Sequence, residues 1–381
     1  MAPPSERPTV PPLTSLRFFA AMVVLIFHYD PDKFSLLPGF FQSWLETGYE
    51  AVTFFFILSG FILSYVYAEA DFSRRGTLRA FFFARIGRLA PAYYVALLVA
   101  LPFYLEEALG EGDLPLRELG LHMALVLTGF QAWWPDSATV WNPPAWSMSV
   151  EWFFYLLFPL ALFATRRMAP TLLLPAALLL VAAVSGFRIW VMNPLVDQNA
   201  EEWANLASFF PLFHLPQFLF GLALGRVYLL GPRPSSALAA GMFPSGAIGL
   251  MILFIDLDML PDHVRSNAVL VVFFGLLIYG AATSGHFAYR ALSPAPLVFL
   301  GNASYAIYAL HEPIALWWDA YGPAKLGYPL PTWADFPLYT GLVILLAALC
   351  YRYVETPLRR RIRRWGGAPE RRAAFSGARK A

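Results

Sequence analysis

Some ionisable side chains in this sequence sit where an apolar environment tolerates them poorly, and their spacing suggests chemistry. Arg17 and His28 are eleven residues apart on one apolar stretch. That is close to three helical turns, so both project from one face, roughly 16 Å apart along the axis. A histidine can take up and return a proton near neutrality, and a guanidinium can hold an oxyanion. The plainer reading is two residues reaching out of opposite ends of a helix. Arg85 and Arg88, three apart in Arg85-Ile86-Gly87-Arg88-Leu89-Ala90-Pro91-Ala92-Tyr93, could grip one multiply charged anion such as a phosphate; the plainer reading is charge flanking a span. In Trp146-Ser147-Met148-Ser149-Val150-Glu151, Ser147 could cap a helix, with Glu151 one turn later. A capping box wants its acid at the third residue after the cap, and Glu151 is the fourth. A carboxylate there needs a partner or a proton. Finally, His311-Glu312-Pro313 places a second histidine within an apolar stretch, expected in the same outer half as His28.

The elements that must position these groups follow from composition. Of 381 residues, 58% are hydrophobic, 17% aromatic and only 14% charged, with mean hydropathy +0.55. Soluble domains carry roughly 25% charged residues, so the chain is expected to be an all-α polytopic membrane protein. Its single cysteine, Cys350, excludes an internal disulfide or a cysteine-based zinc site. The net charge of +2 gives no reason to expect nucleic acid. The N-terminal Met1 to Pro12 lacks the pattern of a cleaved leader. Ten apolar segments long enough to span follow, near 13–30, 51–70, 90–108, 148–166, 169–190, 207–230, 236–256, 266–285, 294–318 and 335–354.

An eleventh stretch, Leu116–Trp134, is decided by charge. With ten crossings both termini are cytoplasmic, and 22 of the 27 Lys and Arg residues fall inside; only Lys33, Arg117, Arg188, Arg265 and Lys325 fall outside. A full crossing by Leu116–Trp134 would put every later basic cluster on the wrong side. The positive-inside bias therefore makes this stretch an extra re-entrant or interfacial segment.

The ordered motifs resemble the acyltransferase-3 family of integral membrane O-acyltransferases. The resemblance runs from Leu13 to about Arg364. It rests on Leu16-Arg17 with His28, the Phe54-to-Phe61 run Phe-Phe-Phe-Ile-Leu-Ser-Gly-Phe, the segments Arg85–Tyr93 and Ala145–Glu151, Ser304-Tyr305 through His311 and Pro313, and Tyr353-Val354-Glu355-Thr356-Pro357-Leu358-Arg359. It implies acyl transfer, commonly of acetyl, from acyl-CoA to a hydroxyl of a sugar, glycolipid or natural product, in the bacterial cytoplasmic membrane. The domains it implies are an N-terminal tail 1–12, a membrane acyltransferase domain 13–364 and a basic, disordered tail 365–381, in the stand-alone form without a fused hydrolase-like domain. No cofactor is bound permanently and no metal is expected; acyl-CoA is the donor substrate, with the acceptor and the bilayer as further partners. The family's invariant histidine matches His28, and its donor-binding arginines match Arg17, Arg85 and Arg88. Its Ser-x-x-x-Glu motif matches Ser147 and Glu151, and Tyr93 and His311 are supporting residues. Many relatives place an acid two residues before the Phe-Phe pair that is Phe55-Phe56 here, where this chain has Thr53; Asp30, Glu50 or Glu151 are the substitutes to weigh. The usual His-Trp-Pro is His311-Glu312-Pro313 here, and an expected Glu is Gln217.

On this reading Arg17, Arg85 and Arg88 meet the phosphates of coenzyme A at the inner face, while His28 and Glu151 lie toward the outer face. His28 is the general base. The alternative is a secondary transporter or flippase for a lipid-linked sugar or other polar solute, which would also need polar residues at mid-depth.

Overall fold

The computed structural model describes residues 7–29, 42, 45, 47–110, 115–193, 200–255, 267–283 and 287–367. Among them every regular element is helical: α1 (Pro11–His28), α2 (Glu50–Tyr67), α3 (Arg75–Gly110), α4 (Leu116–Thr128), α5 (Trp146–Arg166), α6 (Pro170–Phe187), α7 (Ala200–Phe209), α8 (Pro211–Leu230), α9 (Ser236–Ile255), α10 (Asn267–Ala282), α11 (Phe287–Ala291), α12 (Ala295–Tyr321), α13 (Thr332–Cys350) and α14 (Thr356–Trp365). Wide π turns extend α6 through Arg188–Met192 and join α13 to α14 through Tyr351–Glu355. Among the described residues eight helices are long and apolar enough to cross a membrane. The two other expected spans are also helical, as the 16-residue α10 and the 27-residue α12. This is an all-α polytopic membrane protein. The tail after residue 367 lies outside the described residues.

The ambiguous stretch becomes α4, only 13 residues long. At about 1.5 Å per residue that is roughly 20 Å, against about 30 Å of hydrocarbon. It ends at Gly129, whose φ of 75° lets the chain turn sharply, and short 3₁₀ turns lead from there to Trp146. This returning segment is not draped over the surface. Gln131, Ser137 and Asn142 are buried within it, and the Asn142 amide donates to the Ala309 carbonyl at 3.1 Å.

One boundary differs from expectation. The third span was read from residue 90, yet α3 begins at Arg75, so Arg85 and Arg88 lie inside a 36-residue helix rather than before it. The charges of Arg75, Arg79, Arg85 and Arg88 lower local hydropathy without breaking the helix.

Two backbone contacts hold the frame. A Cβ on Gly221 of α8 would collide with the Ile57 carbonyl of α2, and one on Gly60 of α2 with the Phe218 carbonyl of α8. Small residues thus let these helices touch, as packing within a bilayer favours. In the same way Gly301 of α12 lies against the Thr14 carbonyl of α1. That second contact brings together the helices bearing His28 and His311.

Candidate active site

Two adjoining cavities collect most of the polar residues singled out above. The smaller, of about 80 Å³, is lined by Arg17, Ser59, Arg85, Arg88, Ser147, Glu151 and Tyr155 among others. The larger, of about 680 Å³, is lined by His28, Glu50, Thr53, Arg188, His214 and Asn267, with aromatic walls from Phe27, Tyr49, Trp146 and Phe209. Val52, Phe56 and Tyr308 line both. Arg17 and His28, on one face of α1, therefore open into neighbouring chambers.

The guanidinium chamber is built for charge. Arg88 Nη1 pairs with Glu355 Oε1 at 2.5 Å, and the guanidinium sits 5.7 Å from the centroid of the Tyr305 ring. Glu355 is fully buried, and its other oxygen has no hydrogen-bond partner. Arg85 is sandwiched among the rings of Tyr67, Phe81 and Tyr155, 5.7 to 5.9 Å from their centroids, with its Nε unpartnered. Glu151 Oε1 accepts from the Tyr155 hydroxyl at 2.6 Å and from Ser59 Oγ at 3.1 Å. Three arginines and one acid, Glu151, thus line this small space, while Glu355 pairs with Arg88 outside its lining, an excess of basic groups suited to an anion.

In the larger chamber, His28 Nδ1 lies 2.9 Å from the Val24 carbonyl oxygen. A carbonyl only accepts, so in the neutral ring Nδ1 carries the hydrogen and Nε2 keeps its lone pair. That is the tautomer a general base needs. The His311 ring packs edge-on against it, with centroids 4.9 Å apart; His311 is completely buried, and neither of its ring nitrogens has a hydrogen-bond partner. Glu50 is also buried, and its Oε2 accepts from Thr53 Oγ1 at 3.0 Å.

The placement of the other expected site residues is mixed. Glu151, expected toward the outer face beside His28, lines the guanidinium chamber instead. Its helix starts from the buried return segment, so the fifth residue after Trp146 is already deep. Ser147 is not an N-cap: α5 begins at Trp146. Its Oγ donates to the Pro144 carbonyl at 3.0 Å and accepts from the Tyr308 hydroxyl at 2.7 Å, where the cavities meet. Tyr93 lines neither cavity; its hydroxyl donates to the Val126 carbonyl and fastens α4 to α3. Asp30 lies outside the described residues.

Sequence reasoning assigned no role to two residues. Glu355 completes the Arg88 pair, and the visible signal was an acid inside the Tyr353–Arg359 motif. His214 lines the larger cavity, with its ring tilted against Phe56 and Trp146 at 5.3 and 5.1 Å, and places Nε2 2.9 Å from the Ser208 carbonyl oxygen.

Among the described residues one group could bring metal-ligating atoms together: His28, His311 and Glu312, within 4.8 Å of one another. Atoms sharing a tetrahedral zinc ion would have to approach to about 3.4 Å.

A family model described as "Acyltransferase domain" matches residues 13–352. The O-acetyltransferase OatA of Staphylococcus aureus is 25% identical over 96% of this chain and 60% of its own length. The acyltransferase MdmB of Streptomyces mycarofaciens is 29% identical over 84% of this chain and 82% of its own. The peptidoglycan O-acetyltransferase OatA of Listeria monocytogenes is 25% identical over 93% of this chain and 56% of its own. The chain thus spans about 60% of the length of the OatA proteins it matches. No solved structure matches. With the family model covering nearly the whole chain and its motif residues gathered around two joined cavities, the protein belongs to the acyltransferase-3 family.

Proposed function

We propose that this chain is a membrane O-acyltransferase that moves an acyl group, acetyl in the simplest case, from acyl-CoA to a hydroxyl of a carbohydrate, glycolipid or natural product. The observation that carries the reading is the pair of adjoining cavities, one edged by three arginines and the other by His28, with Val52, Phe56 and Tyr308 common to both. The phosphates of coenzyme A are met by Arg17, Arg85 and Arg88 on the cytoplasmic side. The slender thioester arm extends past Val52 and Phe56 and presents its carbonyl to the larger cavity. The acceptor lies in that cavity, whose aromatic walls and hydrogen-bonding groups suit a sugar or a similar amphipathic molecule.

In the chemical step His28 Nε2 takes the proton of the acceptor hydroxyl while its oxygen bonds to the thioester carbonyl carbon. The tetrahedral adduct collapses, the C–S bond breaks, and the thiolate takes the proton back from Nε2. No net proton is gained or lost. Names among the relatives support acetyl and the hydroxyl acceptor, since OatA proteins are called O-acetyltransferases and one is named for peptidoglycan. The bacterial cytoplasmic membrane, with both termini inside, is the location that fits a cytoplasmic donor and the partition of basic residues.

The test is thiol release. Purified protein in nanodiscs, given acetyl-CoA and a panel of hydroxyl acceptors, is expected to release free coenzyme A in step with acetylated product. Substrate accumulation in sealed vesicles without thiol release would instead favour the transporter reading.

A further inference from the structure

Glu312 follows His311 on α12, at a depth where a carboxylate needs a reason. One of its carboxylate oxygens, one ring nitrogen of His28 and one of His311 lie within 4.8 Å of one another. The histidine pair is held by packing rather than by hydrogen bonds between side chains. The His311 backbone carbonyl accepts from the Tyr339 hydroxyl at 2.9 Å, which fixes this point of α12 against α13. His311 itself is fully buried with both ring nitrogens unpartnered. An apolar residue would fill that space with no orphaned polar atom. Two rings in contact beside one carboxylate form an arrangement suited to an imidazole that becomes charged only in passing.

Three other carboxylates nearby are engaged elsewhere. Glu50 lines the same cavity but turns an oxygen to Thr53 Oγ1 at 3.0 Å. Glu151 faces the guanidinium chamber and is held by Ser59 and Tyr155. Asp335 accepts from the Tyr29 hydroxyl and from Trp318 Nε1. Arg188 and His214, the other basic side chains of the larger cavity, would repel a charged His28 ring rather than stabilise it.

We propose that Glu312 is a positioning residue for His28, the carboxylate that balances the imidazolium formed when His28 takes the acceptor proton. The proton moves from the acceptor oxygen to His28 Nε2 and then to the departing thiolate, as the O–C bond forms and the C–S bond breaks, and Glu312 carries no proton in the transfer. The inference rests on the acyltransferase reading above and deepens it by naming the acid that serves the base. At this separation an opposite charge is worth about 10- to 100-fold in the rate of a step that creates the imidazolium.

The experiment compares the parent with Glu312→Gln, Glu312→Asp, Glu312→Ala and Glu50→Gln, all full-length in nanodiscs. Acetyl transfer from labelled acetyl-CoA to chitotetraose and to a glycosylated macrolide is measured under steady-state conditions. Glu312→Gln is expected to lower kcat by about 10- to 100-fold, with KM for acetyl-CoA within about twofold of the parent because the arginine chamber is untouched. Glu312→Asp should recover most of kcat, and added formate should raise the rate of Glu312→Ala, a response that a packing defect would not give. Glu50→Gln should impair kcat less than Glu312→Gln. A Glu312→Gln enzyme with parental kcat, a loss expressed only in KM, or a Glu312→Ala enzyme deaf to formate would overturn the proposal. A parent inactive with every acceptor overturns the acyltransferase reading and this inference with it. An active parent whose Gln variant is unimpaired overturns this inference alone.

Discussion

Replacing His28 with alanine is expected to lower acyl transfer at least ~10²-fold, the usual contribution of a positioned general base, while acetyl-CoA still binds with parental affinity. The separation of effects follows from the geometry. His28 opens into the larger cavity, and the three arginines open into the smaller one. His28→Gln retains a group able to accept the acceptor's hydrogen bond but has no nitrogen that titrates, so it should be nearly as inactive as the alanine variant. His311→Ala should hurt less. It removes a buried ring from beside His28 and loosens its packing, but leaves Nδ1 of His28 on the Val24 carbonyl and Nε2 free. Single-turnover transfer of labelled acetyl, with thermal stability matched to the parent, gives the comparison. Substantial transfer by His28→Ala beside an inert His311→Ala would move the base to α12.

The second large effect concerns Arg88. Its loss should weaken acetyl-CoA binding by about 1.5–3 kcal/mol if it bonds a phosphate. Arg88→Lys should recover only part, since an ammonium cannot grip an oxyanion with two parallel hydrogen bonds. The pair with Glu355 adds a complication that the design must separate. Arg88→Ala leaves a fully buried carboxylate without its partner, an arrangement that typically costs about 3–5 kcal/mol of stability. Adding Glu355→Gln to Arg88→Ala removes that buried charge and should restore most of the thermal stability but none of the donor affinity. If the double variant regains affinity along with stability, Arg88 acts on the fold and not on the donor.

Much of this site can be read in the sequence, and the parts that cannot have identifiable causes. Arg17 and His28 were legible because eleven residues is close to three helical turns, and one helix suffices to place both. Arg85 and Arg88 were legible as a pair, although their charges masked the true start of α3 at Arg75. Glu151 was legible as an acid inside a span but not in its position. The chain folds inward between Gly129 and Trp146, so α5 starts from buried protein, and a depth counted from an assumed surface comes out wrong. Tyr93 belongs to the Arg85–Tyr93 motif, yet its hydroxyl serves the α3–α4 contact. The Arg88–Glu355 pair joins residues 267 positions apart, a separation no local pattern reveals. Glu312 was visible as an oddity within the span, but only the packing of α1 against α12 at Gly301 brings its helix to His28.

The most direct test of the account is a structure of the protein with acetyl-CoA bound, solved in nanodiscs by cryo-electron microscopy. The phosphates should lie against Arg17, Arg85 and Arg88, and the pantetheine arm should run past Val52 and Phe56. The thioester carbonyl should then stand at Tyr308, within reach of an acceptor hydroxyl hydrogen-bonded to His28 Nε2. A donor bound in the larger cavity with its phosphates on Arg188, or with its thioester remote from His28, would contradict the assignment of the two chambers.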